Sequence, residues 1–115
     1  MRQDIDKLED ILVAIEQIEK YLQKGKSAFE SDELIQVWML HYLQIIGEAA
    51  RSTSSELRQK YSKIPWSAIV GFRNLVVHEY FRVDLNVVWE VIKNDLPELK
   101  PQIEDVAKEL DLPAD

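Results

Sequence analysis

Ile5, Leu8, Ile11, Leu12, Ile15, Ile18 and Leu22 recur at threes and fours, with Asp6, Glu9, Asp10, Glu16 and Glu19 between them. That period predicts an amphipathic first helix. Lys24-Gly25-Lys26-Ser27 breaks the pattern, and Ser31 or Asp32 can cap a second helix over Leu34 to Arg51. Apolar residues surround most of that helix, so it is expected to be central and buried. After the polar Ser52-Thr53-Ser54-Ser55, the segment Glu56 to Tyr61 suits a short helical turn, and Pro65 suits the first position of a third helix. Asp84 can cap a fourth helix, with Val87, Val88, Val91 and Ile92 inward. Leu96 to Leu110 reads as a fifth, interrupted or re-angled near Pro97 and Pro101. Neither strand alternation nor an internal repeat competes. The expectation is an all-α, compact bundle of about five helices in a single domain over residues 1–115, with Trp38, Trp66 and Trp89 in its core.

Composition narrows the setting. With no Cys, the chain has no disulfide framework and no thiolate metal site. No apolar run approaches the ~20 residues of a membrane span, and the N-terminal MRQDIDKLED is too charged for a secretory leader. A cytoplasmic home with no membrane partner is expected. At 115 residues the core is adequate but small, so an exposed apolar face would be better hidden in a homodimer. The net charge of -7 argues against a nucleic-acid binder until its distribution is considered. Residues 51 to 82 carry six basic side chains, Arg51, Arg58, Lys60, Lys63, Arg73 and Arg82, against Glu56 and Glu79. This local balance of +4 leaves -11 for the rest of the chain. Phosphate contacts would therefore concentrate around one segment.

That segment contains Arg73-Asn74-Leu75-Val76-Val77-His78-Glu79-Tyr80. A permanent cation and an imidazole suit RNA cleavage: the imidazole can deprotonate a ribose 2′-hydroxyl or protonate the leaving oxygen, while the guanidinium neutralises charge growing on phosphate. On an ideal wheel the apolar stripe is Trp66, Ile69, Val70, Val76, Val77 and Tyr80, and Arg73 falls inside it. A guanidinium there needs a carboxylate, backbone carbonyls or an anion as partner, with Glu48 the own-chain candidate. Ser67, Gly71, Asn74 and His78 share a second face, small or polar enough for a ligand or helix to approach. Arg73 and His78 point roughly 140° apart on a straight helix. Either the helix is distorted near His78 or two facing copies complete the site, and the two-fold dimer is the favoured reading.

The residues resemble the HEPN domains, specifically the HepT-like toxins of prokaryotic toxin-antitoxin pairs, marked by Arg, four to six residues, His, often extended to His-x-Tyr. Arg73, His78 and Tyr80 match. So do Ile45-Ile46-Gly47-Glu48-Ala49, Ile64-Pro65-Trp66, Gly71-Phe72-Arg73-Asn74, Val88-Trp89 and Leu96-Pro97-Glu98-Leu99, in family order over most of the chain. The resemblance implies a HEPN-like dimer with the motif helices facing a shared cleft, acting as a metal-independent endoribonuclease through Arg73 and His78, without a cofactor. It also implies a minimal nucleotidyltransferase (MNT) antitoxin, as in type II and type VII pairs. In some pairs this antitoxin silences the toxin by attaching AMP to the motif tyrosine, which maps onto Tyr80.

Other roles stay open beside these. Arg73 can be a structural arginine tied to Glu48, His78 a polar helix residue, and Tyr80 a core ring with its hydroxyl at the edge. Asn74 can orient the imidazole or simply contact a second copy. His41, Gln44, Glu48 and Arg51 form a polar stripe that either meets the motif or lines a solvated seam. No ligand spacing supports a metal site from His41, Glu48 and His78. A non-catalytic, nucleotide-binding or nucleotidyltransferase-docking subunit is the alternative function, and a purely structural helical dimer is a third.

Overall fold

The computed structural model describes residues 4–77 and 84–111, with the side chains of 74–77 also outside the description. The first helix, α1 (Asp4–Leu22), buries Leu8, Ile11, Ala14, Ile15 and Ile18 on one face, as its spacing predicts. The expected break at Lys24 is instead a tight junction into a further short helix, α2 (Gly25–Ser31). Gly25, at φ +90°, takes a left-handed conformation that a side chain would strain. This reversal seats Phe29 in the core, 1% exposed and 5.5 Å from the Trp89 ring.

Asp32 starts α3 (Glu33–Arg51), accepting a hydrogen bond from the Leu34 N–H at 2.9 Å. This helix is central, packed against α1 on one side and the motif-bearing helix on the other. Met39, Leu43, Ile46 and Ala50 are sealed. Its burial is not complete, however: Leu34 is 80% exposed and Val37 51%. An apolar residue follows the core only where a neighbouring helix reaches it, and among the described residues no helix covers Leu34 and Val37. Trp38 accordingly lies at the edge of the core rather than inside it, its indole N–H donating to the Gln17 carbonyl at 2.7 Å.

Ser54 caps α4 (Ser55–Lys60), its hydroxyl oxygen accepting from the Leu57 N–H at 3.1 Å. The same residue ties back to the start of the chain: Asp4 accepts from the Ser54 N–H at 2.8 Å and from its hydroxyl at 2.6 Å. Pro65 stands one position before α5 (Trp66–Val77), and its carbonyl accepts the first helical bond, from Ile69. Asp84 caps α6 (Leu85–Glu90) through the Asn86 N–H, as its sequence position suggests. Val88, Val91 and Ile92 turn inward, but Val87 is 45% exposed because Trp89 takes the inward position on the other side of Val88.

The predicted interruption takes the form of a π-helical segment, Val91–Asp95, running directly into α7 (Leu96–Asp111). The Leu96 N–H reaches back five residues to the Val91 carbonyl. This register shift falls just before Pro97, which has no N–H to offer an α-helical ladder. Helix α7 then continues through Pro101 without a break. It lies along α1, where Lys100 donates to Glu19 at 2.9 Å; this bond holds the ammonium pKa above its ordinary value, more than offsetting the lowering by burial. The expectation of an all-α bundle is met. No helix among the described residues is long and apolar enough to cross a membrane.

Candidate functional site

The site begins at a tight contact between α3 and α5. A Cβ on Gly47 of α3 would lie 2.8 Å from the Arg73 backbone nitrogen, 3.0 Å from its Cβ and 3.2 Å from the Val70 carbonyl oxygen of α5. Only hydrogen at Gly47 lets the two helices meet at this depth. The contact fixes where Arg73 leaves the helix.

Arg73 then lies at an edge, not in the middle of a buried face. Trp66, Ile69 and Phe72 are the buried residues of α5, at 8%, 1% and 7% exposure. Inclusion of Phe72 rotates the buried stripe away from Val70 and Arg73, and leaves the Arg73 side chain 34% exposed. The predicted partner is present: Arg73 Nε lies 3.5 Å from Glu48 Oε1. That contact is an ion pair without hydrogen-bond geometry, since the buried Nε has no hydrogen-bond acceptor. Glu48 is itself half-exposed and takes a 3.5 Å hydrogen bond from the Gln44 amide. The carboxylate thus orients the guanidinium, and the exposed third of the Arg73 side chain remains open to an anion.

Of the polar stripe on α3, Glu48 reaches Arg73, and Gln44 joins it only through Glu48. His41 and Arg51 are exposed, and His41 instead stands edge-on to the Tyr42 ring at 4.8 Å. Asn74 belongs to α5, one residue after Arg73, but its side chain lies outside the described residues, as do His78 and Tyr80 entirely. Among the described residues, no group of three His, Asp or Glu side chains could hold a metal ion.

The second face of α5 borders open space. Ser67 is exposed, and a Cβ at Gly71 would meet nothing within 4 Å. Next to it, a groove of about 600 Å³ separates α4 from α5, lined by Arg58, Gln59, Ser62, Trp66, Ser67 and Val70. The groove and the Gly47 contact escaped the sequence reading. A lone glycine in an apolar helix signals close packing in general, but its partner was not identifiable.

The family described as "Ribonuclease HepT-like" matches residues 11–106. A Methanocaldococcus jannaschii protein named "Gamma-glutamylcyclotransferase and putative RNase" is 39% identical over 113 residues, covering 96% of this chain and 51% of that protein. The chain therefore spans about half the length of that relative. A Thermococcus cleftensis protein named "Probable ribonuclease HepT" is 36% identical over 104 residues, covering 90% of this chain and 94% of the relative. A Caldanaerobacter subterraneus protein named "Putative RNase" is 38% identical over 78 residues, covering 68% of this chain and 70% of the relative. No solved structure matches the chain significantly.

Proposed function

The chain belongs to the HepT-like ribonuclease family, and from that premise we propose that it is a metal-independent endoribonuclease, the toxin of a HepT–MNT pair, working in the cleft of a homodimer. The observation that carries this reading is Arg73, whose guanidinium is steadied by Glu48 from one side while the side chain stays 34% exposed. Phosphate oxygens suit the donors of a guanidinium held at the surface in this way.

In the proposed reaction, the ribose 2′-oxygen bonds to phosphorus as the bond to the leaving 5′-oxygen breaks. The 2′-hydroxyl proton passes to a neutral His78 imidazole, and a protonated His78 returns a proton to the leaving oxygen. Two copies of the chain would supply both protonation states and also bring Arg73 of one motif near His78 of the other. Arg73 would neutralise the phosphorane charge, with Asn74 supporting the imidazole. Products would be a 2′,3′-cyclic phosphate and a 5′-hydroxyl.

Silencing would act at Tyr80: its phenol oxygen attacks the α-phosphate of ATP in the partner nucleotidyltransferase, pyrophosphate leaves, and AMP remains on the ring. The added phosphate would place negative charge near Arg73. The test is RNA cleavage by wild type and by His78→Ala in nuclease-free preparations, with the intact mass of each measured after purification with and without the nucleotidyltransferase. Cleavage by the unmodified wild type alone is expected, and equal cleavage by His78→Ala would refute the assignment.

One observation favours a second reading, a non-catalytic subunit that docks the nucleotidyltransferase: Leu34 and Val37 stand exposed beside Trp38 at one end of α3. Cleavage-free binding of that enzyme, unchanged by His78→Ala, would support it.

A further inference from the structure

The groove between α4 and α5 is open, it carries a single charged side chain, Arg58, on a largely apolar lining, and nothing in the catalytic scheme uses it. Arg58 lines it with one weak tie, from its Nε to the Ser54 carbonyl at 3.5 Å. No carboxylate among the described residues pairs with Arg58, Arg51 or Lys63 within 4.0 Å. An Arg58 guanidinium without a carboxylate partner keeps N–H donors for an anion from solution. Around Arg58 stand the Gln59 amide and the exposed Ser62 and Ser67 hydroxyls. These are neutral donors and acceptors suited to phosphate and ribose oxygens.

The groove also leads to the motif. Val70, in its wall, stands one turn before Arg73, and Ser67 begins the face that continues through Gly71 to Asn74. The missing side chain at Gly71 leaves this path clear. Ser67 and Arg73 are six residues apart, or about 9 Å along the helix axis, roughly one or two nucleotides of an extended strand. Trp66 forms the floor but offers no base a stacking platform: it is 8% exposed, and its indole N–H is held by the Tyr61 carbonyl at 3.1 Å.

We propose that this groove is a second RNA contact, in which Arg58, with Gln59, Ser62 and Ser67, holds the phosphate and ribose of a nucleotide flanking the scissile one without reading its base. The assignment of RNA rests on the ribonuclease reading, whereas the groove's ligand chemistry rests on its own side chains. It follows that short RNAs reach Arg73 without using Arg58, and longer RNAs gain affinity from it irrespective of sequence.

The experiment measures binding separately from cleavage. Fluorescence anisotropy follows labelled oligo-A and oligo-U, each of two and of twelve nucleotides, on the full chain carrying His78→Ala, with Arg58→Ala, Arg58→Lys or Ser67→Glu added. Circular dichroism checks that each variant is folded, and Ser67→Glu alters an exposed side chain, so one variant tests the groove without touching the core. For twelve nucleotides, Arg58→Ala is expected to weaken binding about fivefold and to lower the slope of log K against log salt by about 0.7. Arg58→Lys should keep the slope, Ser67→Glu should weaken binding at least as much as Arg58→Ala, and both oligomers should respond alike. Dinucleotide binding should not change.

Parental affinity and slope in Arg58→Ala and Ser67→Glu would overturn the proposal, as would a loss confined to one base or no RNA binding by any form. Cleavage by wild type with Arg58-independent binding would reject the groove and keep the ribonuclease. Arg58-dependent binding without cleavage by wild type would keep the groove and reject the ribonuclease.

Discussion

Gly47 and Arg73 meet backbone to backbone across α3 and α5, close enough that a methyl group on Gly47 would sit 2.8 Å from the Arg73 nitrogen. The obstacle is main chain, so no rotamer change relieves it. Gly47→Ala should therefore destabilise the fold by about 1–2 kcal/mol, the overpacking cost exceeding the gain in helix propensity. A lowered denaturant midpoint with unchanged slope is the expected result; an unchanged or raised midpoint would show that the helices separate freely.

Gly71, on the same helix as Arg73, should respond in the opposite sense. A Cβ there meets open space, so Gly71→Ala should add about 0.5–1 kcal/mol through helix propensity alone. Denaturation of the two alanine variants side by side separates close packing from conformational preference. A loss of stability at Gly71 on dilution-sensitive unfolding would instead reveal a second copy packed on that face.

The Arg73–Glu48 contact is partly solvated, so its role in stability is small while its proposed role in the site is large. Arg73→Ala should retain the fold and lose about 10²–10³-fold in RNA cleavage. Glu48→Gln, which keeps the shape and an acceptor, should lose much less. Comparable losses would mean that Glu48 takes part in the chemistry directly.

Ser54 joins two parts of the chain, capping α4 while donating twice to Asp4 at the start of α1. Ser54→Ala removes the cap and the side-chain bond to Asp4 together and should cost about 1–2 kcal/mol. Adding Asp4→Ala should cost less in the Ser54→Ala background than in wild type. Strictly additive losses in this double-mutant cycle would show that the two residues act independently.

Tyr61 donates a hydrogen bond to Glu109 of α7, and this bond, helped by burial and the nearby negative charge, raises the phenol pKa above its ordinary 10.0. The folded state thus favours the protonated phenol. Its contribution to stability is complete below pH 10 and is lost as pH rises through the raised value. Ultraviolet titration should show one tyrosine ionising late, and Tyr61→Phe should remove that step. Late ionisation persisting in Tyr61→Phe would assign it to another ring.

Helical class and most helix starts were legible in the chain because they depend on local chemistry. The spacing of Leu8, Ile11, Ile15 and Ile18 sets the inward face of α1, and Asp32, Ser54 and Asp84 satisfy N–H groups only two or three residues away. The need of Arg73 for a partner was likewise legible, since a charge in an apolar stripe cannot go uncompensated. What tertiary structure decided was how far each face turns toward its neighbours. Phe72 draws α5 round so that Arg73 reaches an edge, Trp89 displaces Val87 outward, and Leu34 and Val37 are left uncovered by the described helices. The depth of the α3–α5 contact at Gly47 and the groove beside Ser67 belong to the same class. Such features depend on pairs of residues distant in sequence, whose meeting no local period encodes; hydrophobic periodicity specifies that a helix has an inner face, and packing alone specifies what that face touches.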